Sequence, residues 1–148
     1  MQVTSGPVLV AILSSALLTG CSRSKGGPET IEVSGLVTLG GNPVEDANVL
    51  FSPALGSSDG RLASQAKTDA QGHYQLSTHI GAGKFKPGIV AGKYVVTASR
   101  LDVAGAKNTF ATPKNLLPPK YADPKSTPFS AEVSAGKANE FPLALKND

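Results

Sequence analysis

Cysteine, tryptophan and long apolar runs are scarce in this chain of 148 residues. Its only cysteine is Cys21, so no disulfide within the chain can form and a folded domain must be held by its core alone. Tryptophan is absent and aromatic residues make up 5%, which counts against a nucleic-acid module built on stacking platforms. The longest largely apolar run, 8–18, has 11 residues and is too short to span a bilayer as a helix.

Charge is absent from residues 1–20, and the apolar run inside them has the length of the central region of a secretory signal peptide. The run ends in Leu18, Thr19, Gly20 and Cys21. These four residues resemble the lipobox of bacterial lipoproteins, in which a diacylglyceryl group alkylates the cysteine and cleavage leaves that cysteine first. The alternatives are a plain secreted protein or a buried N-terminal helix.

The lipobox resemblance implies a domain organisation and a location. Residues 1–20 are expected to be a lipoprotein signal peptide, 21–30 a lipidated flexible tether, and 31–148 the domain. The only attached groups expected are the diacylglycerol and a fatty acyl chain such as palmitate on Cys21, with no other cofactor. Two or more chains hold a protein firmly on a membrane. We expect a cell-envelope lipoprotein, and Ser22 in the position after the cysteine favours the outer membrane or periplasmic face.

From Thr30 onward, apolar residues alternate with polar ones, the period-two pattern of half-buried strands. Glycine and proline, 16 and 11 in number, divide the chain into short segments. Tyr74 and Tyr94 are expected to face the core, and the less apolar third strand is expected near an edge. The pattern predicts an all-β sandwich of seven strands. They are predicted near 31–39, 47–53, 62–68, 73–77, 92–98, 129–133 and 139–145.

Several of these stretches resemble carboxypeptidase regulatory-like domains. The stretches are Val33-Ser34-Gly35-Leu36-Val37 with Gly41-Asn42-Pro43-Val44 for a first hairpin, Thr68-Asp69-Ala70-Gln71-Gly72-His73-Tyr74 for a second, and Gly92-Lys93-Tyr94-Val95-Val96 for the next strand. The run from Pro119 to Phe141 is similar to the tail of small bacterial lipoproteins built on this domain. The resemblance implies a transthyretin-like (prealbumin-like) β-sandwich.

No pattern of catalytic or metal-binding residues stands out. The chain has two histidines, His73 and His79, and no sequence feature singles out a serine beside either of them. The run from Asp69 to Gly72 predicts a glycine turn rather than a calcium loop, because Gln71 and His73 are poor ligands at the positions where oxygen is needed. We therefore expect no enzyme and no metal site.

A binding role is the remaining hypothesis. The leading hypothesis is a structural or adhesive envelope module, and the alternative is a carbohydrate-binding module whose sugar contacts are the loop aromatics Phe85, Phe110 and Tyr121. Between Lys84 and Lys125 lie eight basic residues against two acidic ones. This stretch is either a solvated face or a contact for anionic headgroups or polysaccharide. Nucleic acid is not an expected partner.

Overall fold

The computed structural model of the chain describes residues 27–56, 60–103 and 112–147, and it is all-β apart from one 3-10 helix, Pro119–Tyr121. Each of the seven predicted strands overlaps a strand of the structure. Five further short strands are present, so the count of seven is not confirmed. The twelve strands are β1 Ser34–Leu39, β2 Asn42–Pro43, β3 Asn48–Pro53, β4 Ser64–Lys67, β5 His73–Gln75, β6 Ser77–His79, β7 Phe85–Pro87, β8 Gly92–Ser99, β9 Leu101–Asp102, β10 Lys114–Asn115, β11 Ser130–Val133 and β12 Leu143–Leu145.

Two sheets contain most of these strands. The large sheet has the order β11-β8-β3-β4-β6-β7 and is antiparallel throughout. In the small sheet, β1 pairs with β12, β2 and β5, and the β1–β12 pair is parallel. A two-stranded ribbon of β9 and β10 extends the chain beyond β8. The sheets pack face to face in a sandwich-like arrangement.

The core lies between the two sheets and is centred on Phe51 of β3. Its ring lies 6.4 Å from that of Tyr74, 6.3 Å from Tyr94 and 6.0 Å from Phe141, so it contacts residues on both sides of the sandwich. Tyr74 and Tyr94 are 3% and 1% exposed, which confirms the prediction that both face the core. The ring contacts add to the burial of apolar area, at about 0.5–1.5 kcal/mol for each pair.

Gly35 of β1 makes room for one of these rings. It is the cross-strand partner of Tyr74, whose hydroxyl donates a hydrogen bond of 2.6 Å to the carbonyl of Phe141. A Cβ at position 35 would lie 2.6 Å from the Tyr74 hydroxyl, closer than real contacts allow. Glycine at position 35 therefore leaves room for the Tyr74 side chain to pass over β1. Its hydroxyl then bonds to Phe141 in the segment before β12.

β4 was predicted near an edge, and it is an interior strand, two positions from the edge strand β7. It lies between β3 and β6. Its weak apolar signal arises because buried Ser64 bonds to Thr78 of β6 rather than packing as a hydrophobe. Thr78 in turn donates to the carbonyl of Gly88 at 2.6 Å, so its proton is used there and Ser64 is the donor of their shared bond. A satisfied pair of hydroxyl groups thus replaces an apolar contact.

The turn at 69–72 forms as predicted, but it does not join two paired strands. The Oδ1 atom of Asp69 accepts hydrogen bonds from the backbone amides of Gln71 and His73, and Gly72 has a φ of +78°. The chain enters this turn from β4 of the large sheet and leaves it into β5 of the small sheet. The turn therefore connects the sheets, and the Asp69 side chain is occupied by turn bonds.

Replacement of Phe51 tests the central role of its ring. We expect Phe51→Ala to lower the free energy of unfolding by about 3–5 kcal/mol, because the ring is fully buried and its loss leaves a cavity. The matched control is Leu50→Ala on the outer face of the same strand, where the side chain is 37% exposed and the expected cost is about 1 kcal/mol or less. Urea denaturation measures both, and equal losses would contradict the assignment.

Candidate functional site

The leading segment, residues 27–31, is attached to one end of the large sheet. The backbone amide of Ile31 donates to the carbonyl of Ile89 at 2.8 Å, and Ile89 donates back at 2.9 Å. The Nζ atom of Lys86 donates to the carbonyl of Pro28 at 2.8 Å. A Cβ at Gly27 would lie 3.7 Å from the side chain of Ile80. The last residues of the predicted tether thus run along the domain.

We call the end of the large sheet that this segment reaches the proximal end. There β3, β6 and β11 finish and β4, β7 and β8 begin, as the pairs Phe51–Ser64, His79–Phe85 and Val133–Gly92 show. The opposite, distal end carries the β9–β10 ribbon, beyond the end of β8. The proximal end contains the start of the leading segment, the β3–β4 connection and the β6–β7 turn. The crossing segment 88–91 runs from the far end of β7 back to the proximal end, where β8 begins.

The crossing segment closes the core at the proximal end. Ile89 is completely buried, the hydroxyl of Tyr94 donates to the carbonyl of Val90 at 2.7 Å, and Gly88 receives the bond from Thr78. Two adjoining surface depressions, of about 250 and 310 Å³, share Val90. Their lining is mostly apolar and includes Pro28, Ile31 and Leu62. The proximal end is therefore a partly apolar surface.

Exposed large hydrophobic residues of the described chain occur at both ends of the large sheet. Leu55, Leu62 and Phe85 lie at the proximal end, with exposed fractions of 94%, 42% and 55%. Leu101, Val103 and Leu116 lie at the distal end, and Leu50 lies between the two on the outer face. The two ends thus display equal numbers of such side chains, and only one of them receives the leading segment.

The aromatic residues predicted to contact a ligand have different environments. Phe85 lies in β7 rather than in a loop and packs against His79, its cross-strand partner, with 5.1 Å between the ring centroids. Tyr121 is not exposed, which corrects the prediction: it is 3% exposed and its ring stacks on Phe129 at 5.5 Å. Its hydroxyl accepts a hydrogen bond from the backbone amide of Lys146. Phe110 lies outside the described residues.

The prolines around Tyr121 explain the wrong expectation. Pro118 and Pro119 indicated an irregular loop, whereas they begin the 3-10 helix that turns Tyr121 inward. No pattern in the sequence distinguishes these two outcomes, because a single helical turn carries no periodicity.

The basic residues between Lys84 and Lys125 do not form one surface in the described structure. Lys84, Lys86 and Lys93 are at the proximal end. Arg100, the residue after β8, and Lys114, in β10, are at the distal end. Even the proximal lysines are separated, because β7 and β8 are four strand spacings apart, about 19 Å. A contact of this stretch with anionic headgroups or polysaccharide stays a prediction. The basic residues that could make it lie at two separate ends of the large sheet.

The two histidines of the chain lie in different sheets. His73 lies on β5 of the small sheet and His79 on β6 of the large sheet. In the parts of the chain with described coordinates, no group of three or more histidine, cysteine, aspartate or glutamate residues is placed to hold a metal ion. Within the same ranges no helix is long and apolar enough to cross a membrane.

Among the described residues, the pKa values of Asp46 and Tyr74 are shifted, and each shift has a structural cause. The hydrogen bond from Lys67, 2.8 Å from Asp46, together with its charge, holds the pKa of the exposed Asp46 below its usual range. Burial raises the pKa of Tyr74 above its usual range. Because Tyr74 bonds to a backbone carbonyl inside the core, its shift reflects packing rather than a reactive site.

Comparisons with known proteins add no relationship. No family model, no curated protein and no solved structure matches the chain. The lipobox residues Leu18, Thr19, Gly20 and Cys21 lie outside the described residues, so the lipidation site rests on the sequence.

Substitution of Tyr74 tests whether burial in the core causes its raised pKa, and the test uses the pH dependence of stability. The folded state keeps the phenolic proton to higher pH than the unfolded state, so the free energy of unfolding should fall as pH rises above about 10. The contribution of Tyr74 to this slope is up to about 1.4 kcal/mol per pH unit. Tyr74→Phe should remove that contribution and cost about 1 kcal/mol at neutral pH by loss of the hydrogen bond.

Denaturant titrations of both proteins at neutral and alkaline pH measure the difference between them. The other titrating groups are common to the two proteins and cancel in that difference. A Tyr74→Phe protein with the alkaline slope of the unsubstituted protein would contradict the assignment.

Proposed function

We propose that the chain is a bacterial envelope lipoprotein, anchored by acyl chains on Cys21, that displays a non-enzymatic β-sandwich domain with a structural or adhesive role. The observation that carries the proposal is the sequence Leu18-Thr19-Gly20-Cys21 after a short apolar run, with the only cysteine of the chain in the acylated position. An outer-membrane or periplasmic location goes with it.

The fold is compatible with this role. An all-β domain follows the predicted tether directly, and its core contains no disulfide because no second cysteine exists. We further propose that the domain is of the carboxypeptidase regulatory-like, transthyretin-like kind. The first hairpin stretch and the 92–96 stretch support this assignment, because Gly40 and Gly41 turn β1 into β2 and residues 92–96 begin β8. The 68–74 stretch forms its turn but connects the two sheets, so it does not add to this support.

Carbohydrate binding is the weaker alternative. Sugar sites in β-sandwiches depend on exposed aromatic faces, and one described candidate, Tyr121, is buried against Phe129. Phe85 is the described candidate that remains exposed, and one side of its ring already contacts His79. A single partly covered ring supports stacking of one sugar at most.

Lipidation is tested by metabolic labelling with an alkyne fatty acid in a bacterial host. We expect the unsubstituted protein to take up the label and to sediment with membranes, since the thiol of Cys21 is the predicted attachment point. Cys21→Ala should lose both the label and membrane retention.

The matched control for labelling is Ser22→Ala, which changes the adjacent residue and should keep the label. Label that persists in the Cys21→Ala protein, or an unsubstituted protein that remains unlabelled, would rule out the proposed anchor.

A further inference from the structure

We propose that the domain stands end-on to the membrane, with its proximal end against the bilayer and the side chains of Leu62 and Phe85 in the headgroup region. This inference rests on the proposed lipidation of Cys21 and adds an orientation and a lipid-contacting surface to it. The occupant of the surface is the bilayer that holds the acyl chains.

The first argument is the length of the tether. Gly27 follows Cys21 by six residues, which span at most about 22 Å when fully extended. Gly27 lies against Ile80 in the β6–β7 turn, and Pro28 is held by Lys86. The acylated cysteine is therefore confined close to the proximal end.

The second argument is the length of the sheet. β8 has eight residues, so about 23 Å separates its first residue from its last, and the β9–β10 ribbon lies further out. If the distal end contacted the bilayer, the distance from Gly27 to the membrane surface would exceed the length of the six-residue tether. The exposed residues Leu101, Val103 and Leu116 are thus kept away from the membrane that anchors the chain.

The third argument is the chemistry of the proximal surface. Phe85 is 55% exposed and is flanked along the chain by Lys84 and Lys86, while Leu62 is 42% exposed beside the apolar depression at Val90. An aromatic ring with adjacent lysines suits the membrane interface, where the ring enters the headgroup layer and the ammonium groups remain in water. Exposed apolar area at this end then becomes buried without a protein partner.

The absence of tryptophan from the chain makes a direct test possible. Single-tryptophan proteins are made with Phe85→Trp or Leu62→Trp at the proximal end, Leu101→Trp at the distal end, and Leu50→Trp on the outer face. Each full-length, acylated protein is purified from membranes and reconstituted into vesicles of phosphatidylethanolamine and phosphatidylglycerol with or without brominated acyl chains. Bromine quenches a nearby indole and leaves distant ones unaffected.

We expect bromolipid to lower the emission of the Phe85→Trp and Leu62→Trp proteins and to leave that of Leu101→Trp unchanged. The emission maximum of the two proximal probes should also shift to the blue. Interfacial side chains reach about 5–10 Å into the headgroup and acyl boundary, which is within the range of the bromines. The four substituted positions are all exposed, and urea denaturation verifies that each protein is folded.

Three results would overturn the end-on orientation. Acylated, vesicle-bound protein with no quenching at either proximal probe would remove the contact while leaving the proposed anchor intact. Quenching of Leu50→Trp as strong as that of Phe85→Trp would show that the sheet face lies on the bilayer. Quenching of Leu101→Trp alone would reverse the orientation. Protein that mass spectrometry shows to lack acyl chains would instead reject the proposed anchor, and this inference with it.

Discussion

The contact between the two sheets through Phe51 is the constraint on which the rest of the structure depends. With one cysteine in the chain, no disulfide can join the sheets, so their relative position is fixed by packing and by hydrogen bonds across the core. Phe51 contributes the packing, since it meets Tyr74 and Phe141 of the opposite side. The hydrogen bond from the Tyr74 hydroxyl to the Phe141 carbonyl adds a contact of defined geometry across the core. It forms because Gly35 leaves space for the tyrosine ring.

The proximal end extends this core to the point where the tether arrives. The crossing segment 88–91 places Ile89 in the core and pairs it with Ile31 through two backbone hydrogen bonds. The leading segment is therefore held first by the contacts of Gly27 and Pro28 and then by two backbone bonds to a completely buried residue. Under the proposed anchoring, this arrangement limits how the domain can tilt, because the leading segment lies along Lys86 and Ile80 at the β6–β7 edge.

Strands and faces were predictable from the sequence, whereas their assignment to sheets was not. Alternation in the sequence placed Tyr74 and Tyr94 inward, and both are buried. The turn at 69–72 has the same local residues whether it joins neighbours in one sheet or crosses between two, so pairing of β4 with β6 had no local signal. The burial of Tyr121 and the separation of the lysines depend on the same long-range order. In the candidate site, Phe85 was predicted to be exposed from its position alone, and the leading segment beside it was not predicted.

Phe85 also connects the two functional hypotheses, since each of them needs the same side chain. Sugar stacking requires the open face of its ring to be accessible to a glycan in solution, while the end-on orientation buries that face among headgroups. His79 lies against another part of the ring, with 5.1 Å between the ring centroids, so both hypotheses depend on the same open face of Phe85. A membrane anchor short enough to hold the proximal end down therefore argues against the carbohydrate role. In the proposed orientation, the distal end, with its basic residues Arg100 and Lys114, is the surface turned away from the bilayer.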